Sequence, residues 1–324
     1  MRLLVTGGAG YIGSVVAAML VNGGHEVTVL DDLSTGHDDA VPSGARLVKG
    51  SVDDVGTVLG EQLYDTVMHF AAKSLVAESV AHPDRYWHGN VGGALALLDA
   101  MRAHDVPRLI FSSTAATYGE PASVPIEESA AAAPTNPYGA SKLAVDMAIT
   151  GYAQAYGLGA VSLRYFNVAG ALFGSDGRGY GERHAVETHL IPIALQVAAG
   201  TKAALDIFGT DYPTPDGTCV RDYLHVSDLG DAHLRAMQVA SPGEHRIINL
   251  GSGAGHSVRE VADAVSRVTG RDLPVHEMAR RPGDPAVLVA SSVQAATELG
   301  WRPASDLDTM IADAWTFAQR NPGS

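Results

Sequence analysis

Short apolar runs alternate with longer stretches whose apolar residues recur at helical spacing, and this rhythm holds through the first half of the chain. Arg2–Thr6 reads as a strand carrying Leu3, Leu4 and Val5. From Tyr11 to Val21, residues Ile12, Val15, Val16, Met19 and Leu20 fall on one helical face. Asn22-Gly23-Gly24 stops that helix, because glycine accepts the left-handed conformation of a helix end. The same reading predicts strands at Val27–Leu30, Arg46–Val48, Thr66–Phe70, Arg108–Ser113 and Val161–Phe166, and helices at Pro83–His104 and Tyr138–Tyr156. Strands that are apolar throughout, separated by helices, predict an α/β fold: a doubly wound parallel sheet covered on both faces.

Beyond about residue 170 the rhythm changes. Gly170–Gly181 is glycine-rich but holds aromatic and charged residues, so it reads as an ordered loop. A helix is predicted at Leu190–Ala199, with strands near Leu205–Phe208, Tyr223–Val226 and Arg246–Leu250. Ser257 and Glu260 form a capping-box pattern ahead of a helix over Val258–Thr269, which Gly270 ends. Met310, Ile311, Ala314 and Phe317 give the last helix an apolar stripe. The division expected is a first domain over residues 1–170, with segments near 222–250 returning to it, and a smaller α/β domain over residues 171–324.

A chain of 324 residues can bury a large core, and 46% hydrophobic with 18% charged residues describes a soluble protein. No apolar run is long enough to span a membrane, and with a strand beginning at Arg2 no leader is expected. Cys219 is the only cysteine, so no internal disulfide forms; a packing role and a cytoplasmic setting are expected. The net charge of −14, without a basic cluster, argues against nucleic acid as a partner. His184 and His189 stand five apart with no third ligand evident beside them, so no metal site is expected.

Two motifs carry chemistry. Gly7-Gly8-Ala9-Gly10-Tyr11-Ile12-Gly13 follows a strand and opens a helix. There a bare turn lets a pyrophosphate approach the backbone at a helix N-terminus, the mark of a Rossmann-type dinucleotide site. Asp31, ending the second strand, can accept from both ribose hydroxyls and would repel a 2′-phosphate. Asp32 adds to that repulsion, so NAD is expected over NADP. Further along, Tyr138 and Lys142 lie four apart and so share a helix face. An ammonium beside a phenol stabilises phenolate and lowers the tyrosine pKa, which would make Tyr138 a base near neutral pH. A dinucleotide site with such a base specifies redox chemistry at a carbon bearing a hydroxyl.

The chain resembles the extended short-chain dehydrogenase/reductase family over nearly its whole length. The residues that carry the broad likeness are Gly7–Gly13, Asp31, His69-Phe70-Ala71-Ala72, Asn90, Ser112-Ser113-Thr114 and Tyr138 with Lys142. A narrower likeness, to the UDP-glucose 4-epimerases, lies in Leu163–Asn167, Thr188–Pro192, Ile207–Thr214, Asp216–Val226 and Arg280–Asp284. The resemblance implies tightly held NAD and a UDP-sugar in the cleft between the domains. It implies that Tyr138 takes the proton of the sugar 4-hydroxyl while hydride leaves C4. The 4-keto sugar then turns over and receives hydride on its other face, interconverting UDP-glucose and UDP-galactose, with N-acetylated forms also in range. Lys142 would tune Tyr138 and hold the nicotinamide ribose, and Thr114 would bond the 4-oxygen.

The resemblance also assigns contacts. The cofactor would meet Gly7, Gly10, Tyr11, Ile12, Gly13, Asp31, Asp32, Leu33, Ser34, Ser51, Val52, Phe70, Ala71, Ala72, Lys73, Asn90, Ser112, Tyr138, Lys142 and Phe166. The substrate would meet Thr114, Tyr138, Asn167, His189, Leu190, Ile207, Phe208, Arg221, Tyr223, Arg281, Asp284 and Leu288. Arg221 and Arg281 suit a diphosphate on chemical grounds too, since a guanidinium offers paired donors to phosphate oxygens. Leu288 would flank the C2 substituent of the hexose, where a leucine leaves more room than a tyrosine. A homodimer through Pro83–His104 and Tyr138–Tyr156 is implied as well.

One departure is Ser51, where relatives often carry an acid against adenine. Three alternatives differ in chemistry. A 4,6-dehydratase needs an acid–base pair after the threonine, and here Ala115-Ala116 stand there. A 4-epimerase or decarboxylase acting on UDP-glucuronate shares the motifs. A regulator that binds NAD without turnover would not need both Tyr138 and Lys142.

Overall fold

The computed structural model describes residues 1–174, 177–281 and 283–321. The first half runs β1 (Arg2–Thr6), α1 (Tyr11–Asn22), β2 (Glu26–Asp31), β3 (Ala45–Lys49), α2 (Val55–Glu61), β4 (Thr66–His69), α3 (Val76–Ala81), α4 (Pro83–Tyr86), α5 (Gly93–Ala103), β5 (Arg108–Thr114), α6 (Pro137–Tyr156) and β6 (Gly159–Tyr165). The second half runs β7 (Asn167–Ala169), β8 (Ala171–Phe173), β9 (Gly179–Gly181), α7 (Leu190–Ala198), β10 (Leu205–Phe208), β11 (Val220–His225), α8 (Val226–Val239), β12 (His245–Leu250), β13 (Gly255–Ser257), α9 (Val258–Thr269), β14 (Val275–Met278), β15 (Val287–Leu288), α10 (Val293–Glu298) and α11 (Leu307–Arg320).

Seven strands form one parallel sheet in the order β12-β6-β5-β4-β1-β2-β3. Its two faces follow from the alternation of side chains along each strand. Leu3 and Val5 pack with Val16, Ala17 and Leu20 of α1 and with Leu229, Ala232 and Ala236 of α8. Leu4 faces the other way, with Val58 and Leu59 of α2, Leu97 and Leu98 of α5, and Val145 and Ile149 of α6. A separate core joins Ala194 and Leu195 of α7, Val261 and Val265 of α9, and Met310 and Ile311 of α11. Of the apolar stripe predicted for the last helix, Met310, Ile311 and Ala314 lie in this seam, while Phe317 lies against Gly179 and Gly181. The capping box of Ser257 and Glu260 is present, and Gly270 ends α9 with φ +66°.

Asp222 in β11 ties the smaller unit to the sheet. It is fully buried. Its Oδ1 accepts from Ser252 N (2.7 Å) and Ser252 Oγ (2.5 Å), and its Oδ2 from Gly253 N (3.1 Å) and Ala290 N (3.0 Å). One carboxylate thus fastens the loop after β12 and the chain after β15 to the strand between them.

Three predicted elements differ. Pro83–His104 is not one α-helix: a π-helical turn over Trp87–Gly92 separates α4 from α5. The wider turn turns Asn90 inward, where its amide bonds both backbone groups of Lys73 (2.8 and 3.0 Å) and the Ser141 hydroxyl (3.0 Å). The ordered loop read over Gly170–Gly181 contains an antiparallel hairpin of β8 and β9; Ser175 and Asp176 lie outside the described residues. A Cβ on Gly179 or Gly181 would stand 2.9 or 2.5 Å from the Phe317 ring, so the glycines let the hairpin lie flat on α11. The strand placed at Tyr223–Val226 starts earlier, at Val220, and Val226 already begins α8.

Candidate active site

The glycine turn has three differently used glycines. Gly7 takes φ +72°, and a Cβ there would lie 2.5 Å from Ala71 N. Gly13 sits so close beneath the turn that a Cβ would meet Gly7 O at 2.2 Å. At Gly10 a Cβ would meet only Gly7 O, at 3.4 Å, so its outer face is open. Gly10 is the N-cap of α1, offers no side-chain cap, and no acidic residue stands in the first turn. The helix N-terminus is therefore left for an anion. Tyr11 closes the turn onto the second half of the chain by donating to Gly170 O (2.7 Å). Burial, and then the charges of Glu182 and Glu187, hold its phenol well above the usual tyrosine range. Ile12 packs beneath, against the sheet.

Asp31 ends β2 beside this turn. Its Oδ2 accepts from Ala9 N (2.9 Å) and its Oδ1 from Leu33 N (2.9 Å). Each oxygen keeps a further lone pair for a ribose hydroxyl. Leu33 has φ +58°, and Asp32 Oδ1 fixes Ser34 N (2.9 Å). The residues present thus fit a dinucleotide: an open glycine, an uncapped helix start and a fixed carboxylate. Ser51 spends its hydroxyl locally, accepting from Asp53 N (3.2 Å), while Ser51 N donates to Asp54 (3.2 Å). Val52 packs near Gly93. Phe70 and Ala71 both donate to Thr6 O, and the Phe70 ring packs on His233 (4.8 Å). Ala72 and the Lys73 side chain are exposed, and Phe166 is half-buried between β6 and β7.

Tyr138 is the second residue of α6, whose N-cap Asn136 accepts from Gly139 N (2.9 Å). Its ring stands edge-on to Tyr86 (6.3 Å). Lys142 follows one turn later, buried, and donates to Ser112 O (2.9 Å). Burial lowers its pKa to about 8, against the pull of Asp146. Asp146, one turn further, is held by Arg164 (2.8 and 3.2 Å) and Ser113 (3.2 Å). Thr114, at the end of β5, accepts from Ala116 N (3.2 Å) through its hydroxyl. Ser112 makes a short contact with Tyr165.

The expected effect of Lys142 on the phenol is not what the protein by itself shows. Burial raises the Tyr138 pKa, and the Thr114 hydroxyl is the influence that lowers it. Lys142 spends its ammonium on a backbone carbonyl instead. Stabilisation of phenolate here falls to Thr114 and to the positive end of α6.

The predicted substrate residues group around β11. Arg221 pairs with the Asp284 carboxylate in a short contact and lies opposite Leu288 of β15 in the strand register. Asn167 pairs opposite Tyr223 and donates to Asp222 O (3.1 Å). The Arg281 guanidinium lies over the Phe208 ring (3.9 Å). Ile207 and Tyr223 are buried, and Tyr223 packs in the core shared by α7, α9 and α11. His189 holds the N-cap position of α7 ahead of Leu190 without a side-chain cap, and its Nδ1 makes a short contact with Glu182.

Sequence reading gave no role to Asp222, Glu182 or Glu187. Asp222 stands next to Arg221 in a strand that also holds His225, so its type did not single it out. The two glutamates looked like ordinary surface acids, yet they supply the neighbours that His184 and His189 lacked in the linear reading.

A family model described as the NAD dependent epimerase/dehydratase family matches residues 3–251. The chain is 57% identical to a UDP-glucose 4-epimerase of Corynebacterium glutamicum, over 98% of this chain and 95% of that one. Among solved structures it superposes on a UDP-glucose 4-epimerase from Brucella ovis in complex with NAD (46% identity, 98% of each chain, TM-score 0.93). It also superposes on one from Bifidobacterium longum in complex with NAD+ and UDP (35% identity, 99% of each chain, TM-score 0.93).

Proposed function

The chain belongs to the NAD dependent epimerase/dehydratase family, and on that premise we propose that it interconverts UDP-glucose and UDP-galactose by inverting C4 of the hexose. Bound NAD supplies the oxidant for C4 and, after the sugar has turned, the reductant. The glycine turn and the start of α1 would hold its pyrophosphate, and Asp31 its adenine-side ribose. Tyr138 takes the proton of the 4-hydroxyl and later returns it to the 4-oxygen. The Thr114 hydroxyl would bond that oxygen throughout. Lys142 would orient the nicotinamide ribose from beneath.

Arg221 and Arg281 would grip the diphosphate, with Asn167, His189 and Leu190 around it and Asp284 at the uridine ribose. A substrate held through its diphosphate leaves the hexose free to present either face, which inversion requires. The observation that carries this reading is the placing of Tyr138 and the buried Lys142 one turn apart at the start of α6, with Lys142 bonded to Ser112 O of the strand that ends in Thr114. Tyr138→Phe keeps the ring and its packing but removes the only proposed proton acceptor. Epimerisation should fall about 10²- to 10⁴-fold with NAD and UDP still bound; near-normal turnover by the folded variant would overturn the assignment.

Pairing of two copies through α5 and α6 is the oligomer we favour. It is supported by exposed apolar side chains on these elements and the turn beside them: Trp87, Leu95, Met147 and Tyr156. Among the described residues no helix is long and apolar enough to cross a membrane.

A further inference from the structure

Between β9 and α7, one short segment turns four donor side chains toward a common point. They are Glu182, His184, Glu187 and His189, and their nearest ligand atoms all lie within 4.8 Å of one another. His184 Nδ1 stands 3.2 Å from Glu182 Oε1 and 3.6 Å from Glu187 Oε2, and His189 Nδ1 stands 3.6 Å from Glu187 Oε1. His189 Nδ1 also makes a short contact with Glu182. Four donors about 2.0–2.2 Å from a central zinc ion stand roughly 3.3–3.6 Å apart at tetrahedral angles. Three of the distances fall on or near that range.

Two further observations separate this cluster from a hydrogen-bonded surface network. His184 Nδ1 is shut off from solvent and makes no hydrogen bond, although carboxylates lie beside it. The side chains of Glu182 and Glu187 are each only 7% exposed, so both carboxylates face the two imidazoles rather than water. Glu187 is also held as metal-bound carboxylates are: its Oε1 accepts from Thr188 N (2.7 Å) and His189 N (2.8 Å), which orients the side chain.

We propose that Glu182, His184, Glu187 and His189 bind one divalent transition-metal ion of the zinc class. Two imidazoles with two carboxylates in a small, roughly tetrahedral set suit zinc or cobalt, whereas magnesium requires octahedral oxygen ligands. The ion would lock the end of the β8–β9 hairpin to the start of α7. It bonds His189 through Nδ1, leaving the other ring nitrogen for the substrate. Its role is structural, and the site takes no part in the proton transfer at Tyr138.

The test is metal binding by the intact, NAD-loaded protein after chelator treatment and dialysis against zinc. Expected are one zinc per chain by elemental analysis, a melting temperature that rises with zinc and not with magnesium, and a tetrahedral visible spectrum with cobalt. Glu182→Gln and His184→Gln should each weaken zinc binding at least tenfold, with circular dichroism and NAD retention showing that each is folded. Absence of bound zinc in the parent protein, an octahedral cobalt spectrum, or equal affinity in the folded variants would each overturn the site. Loss of zinc with epimerisation intact supports the structural role and leaves the assignment of Tyr138 untouched.

Discussion

Replacing Lys142 by methionine should make the protein more stable at neutral pH while removing its activity. The side chain is 3% exposed, and burial brings its pKa down from 10.5 to about 8. Holding the ammonium charged at pH 7 therefore costs about 3 kcal/mol relative to the unfolded chain. Methionine has nearly the same length and no charge, so it removes that cost. It also leaves Ser112 O without its 2.9 Å donor, a loss of about 1 kcal/mol. The net gain is about 2 kcal/mol at pH 7. Because the folded pKa is depressed, the native state releases its proton first, and the parent protein gains stability as pH rises from about 8 toward 10.5. The two proteins should converge near pH 10. Urea unfolding of nucleotide-free protein, followed by circular dichroism at pH 7 and pH 10, measures both points. A methionine variant less stable than the parent at pH 7, or a gap that does not close by pH 10, would refute the reasoning.

Asp31→Ala should weaken retention of NAD and relax rejection of NADP. It also frees Ala9 N and Leu33 N, so a lower melting temperature should accompany the change; stoichiometric NAD with NADP still excluded would remove Asp31 from the ribose. Leu288→Tyr should cut turnover of UDP-N-acetylgalactosamine far more than that of UDP-galactose, by about 1–3 kcal/mol of discrimination. Equal losses on both substrates would mean that Leu288 merely packs beside Arg221.

The parts of this molecule that were legible in sequence are those set by local rules. The glycine turn, the capping box at Ser257 and the strands buried on both faces each follow from backbone conformation or periodicity. What was not legible depends on partners distant in the chain. Asn90 turns its helix into a π-helical turn to reach Lys73 and Ser141, and neither is marked by spacing. The two glycines of β9 lie against a phenylalanine more than 130 residues later. For Tyr138 the spacing to Lys142 was right, but the direction of the charge effect depended on which acceptor the ammonium found. The acids beside His184 and His189 are near in sequence and escape notice for another reason: residue type alone does not tell a ligand from a solvated side chain.

The place of β12 in the sheet has a consequence for how the protein is made. β6 ends at Tyr165 and its outer neighbour, β12, begins at His245. While that neighbour is missing, β6 presents a row of unpaired backbone groups along an apolar edge. At synthesis rates of roughly 5–20 residues per second, the nascent chain carries that open edge for several seconds. Helix α8, which covers the same face as α1, arrives in the same interval. Residues 1–170 thus cannot complete this sheet on their own, and its exposure to self-association and to chaperones is set by the later segment that supplies α8 and β12.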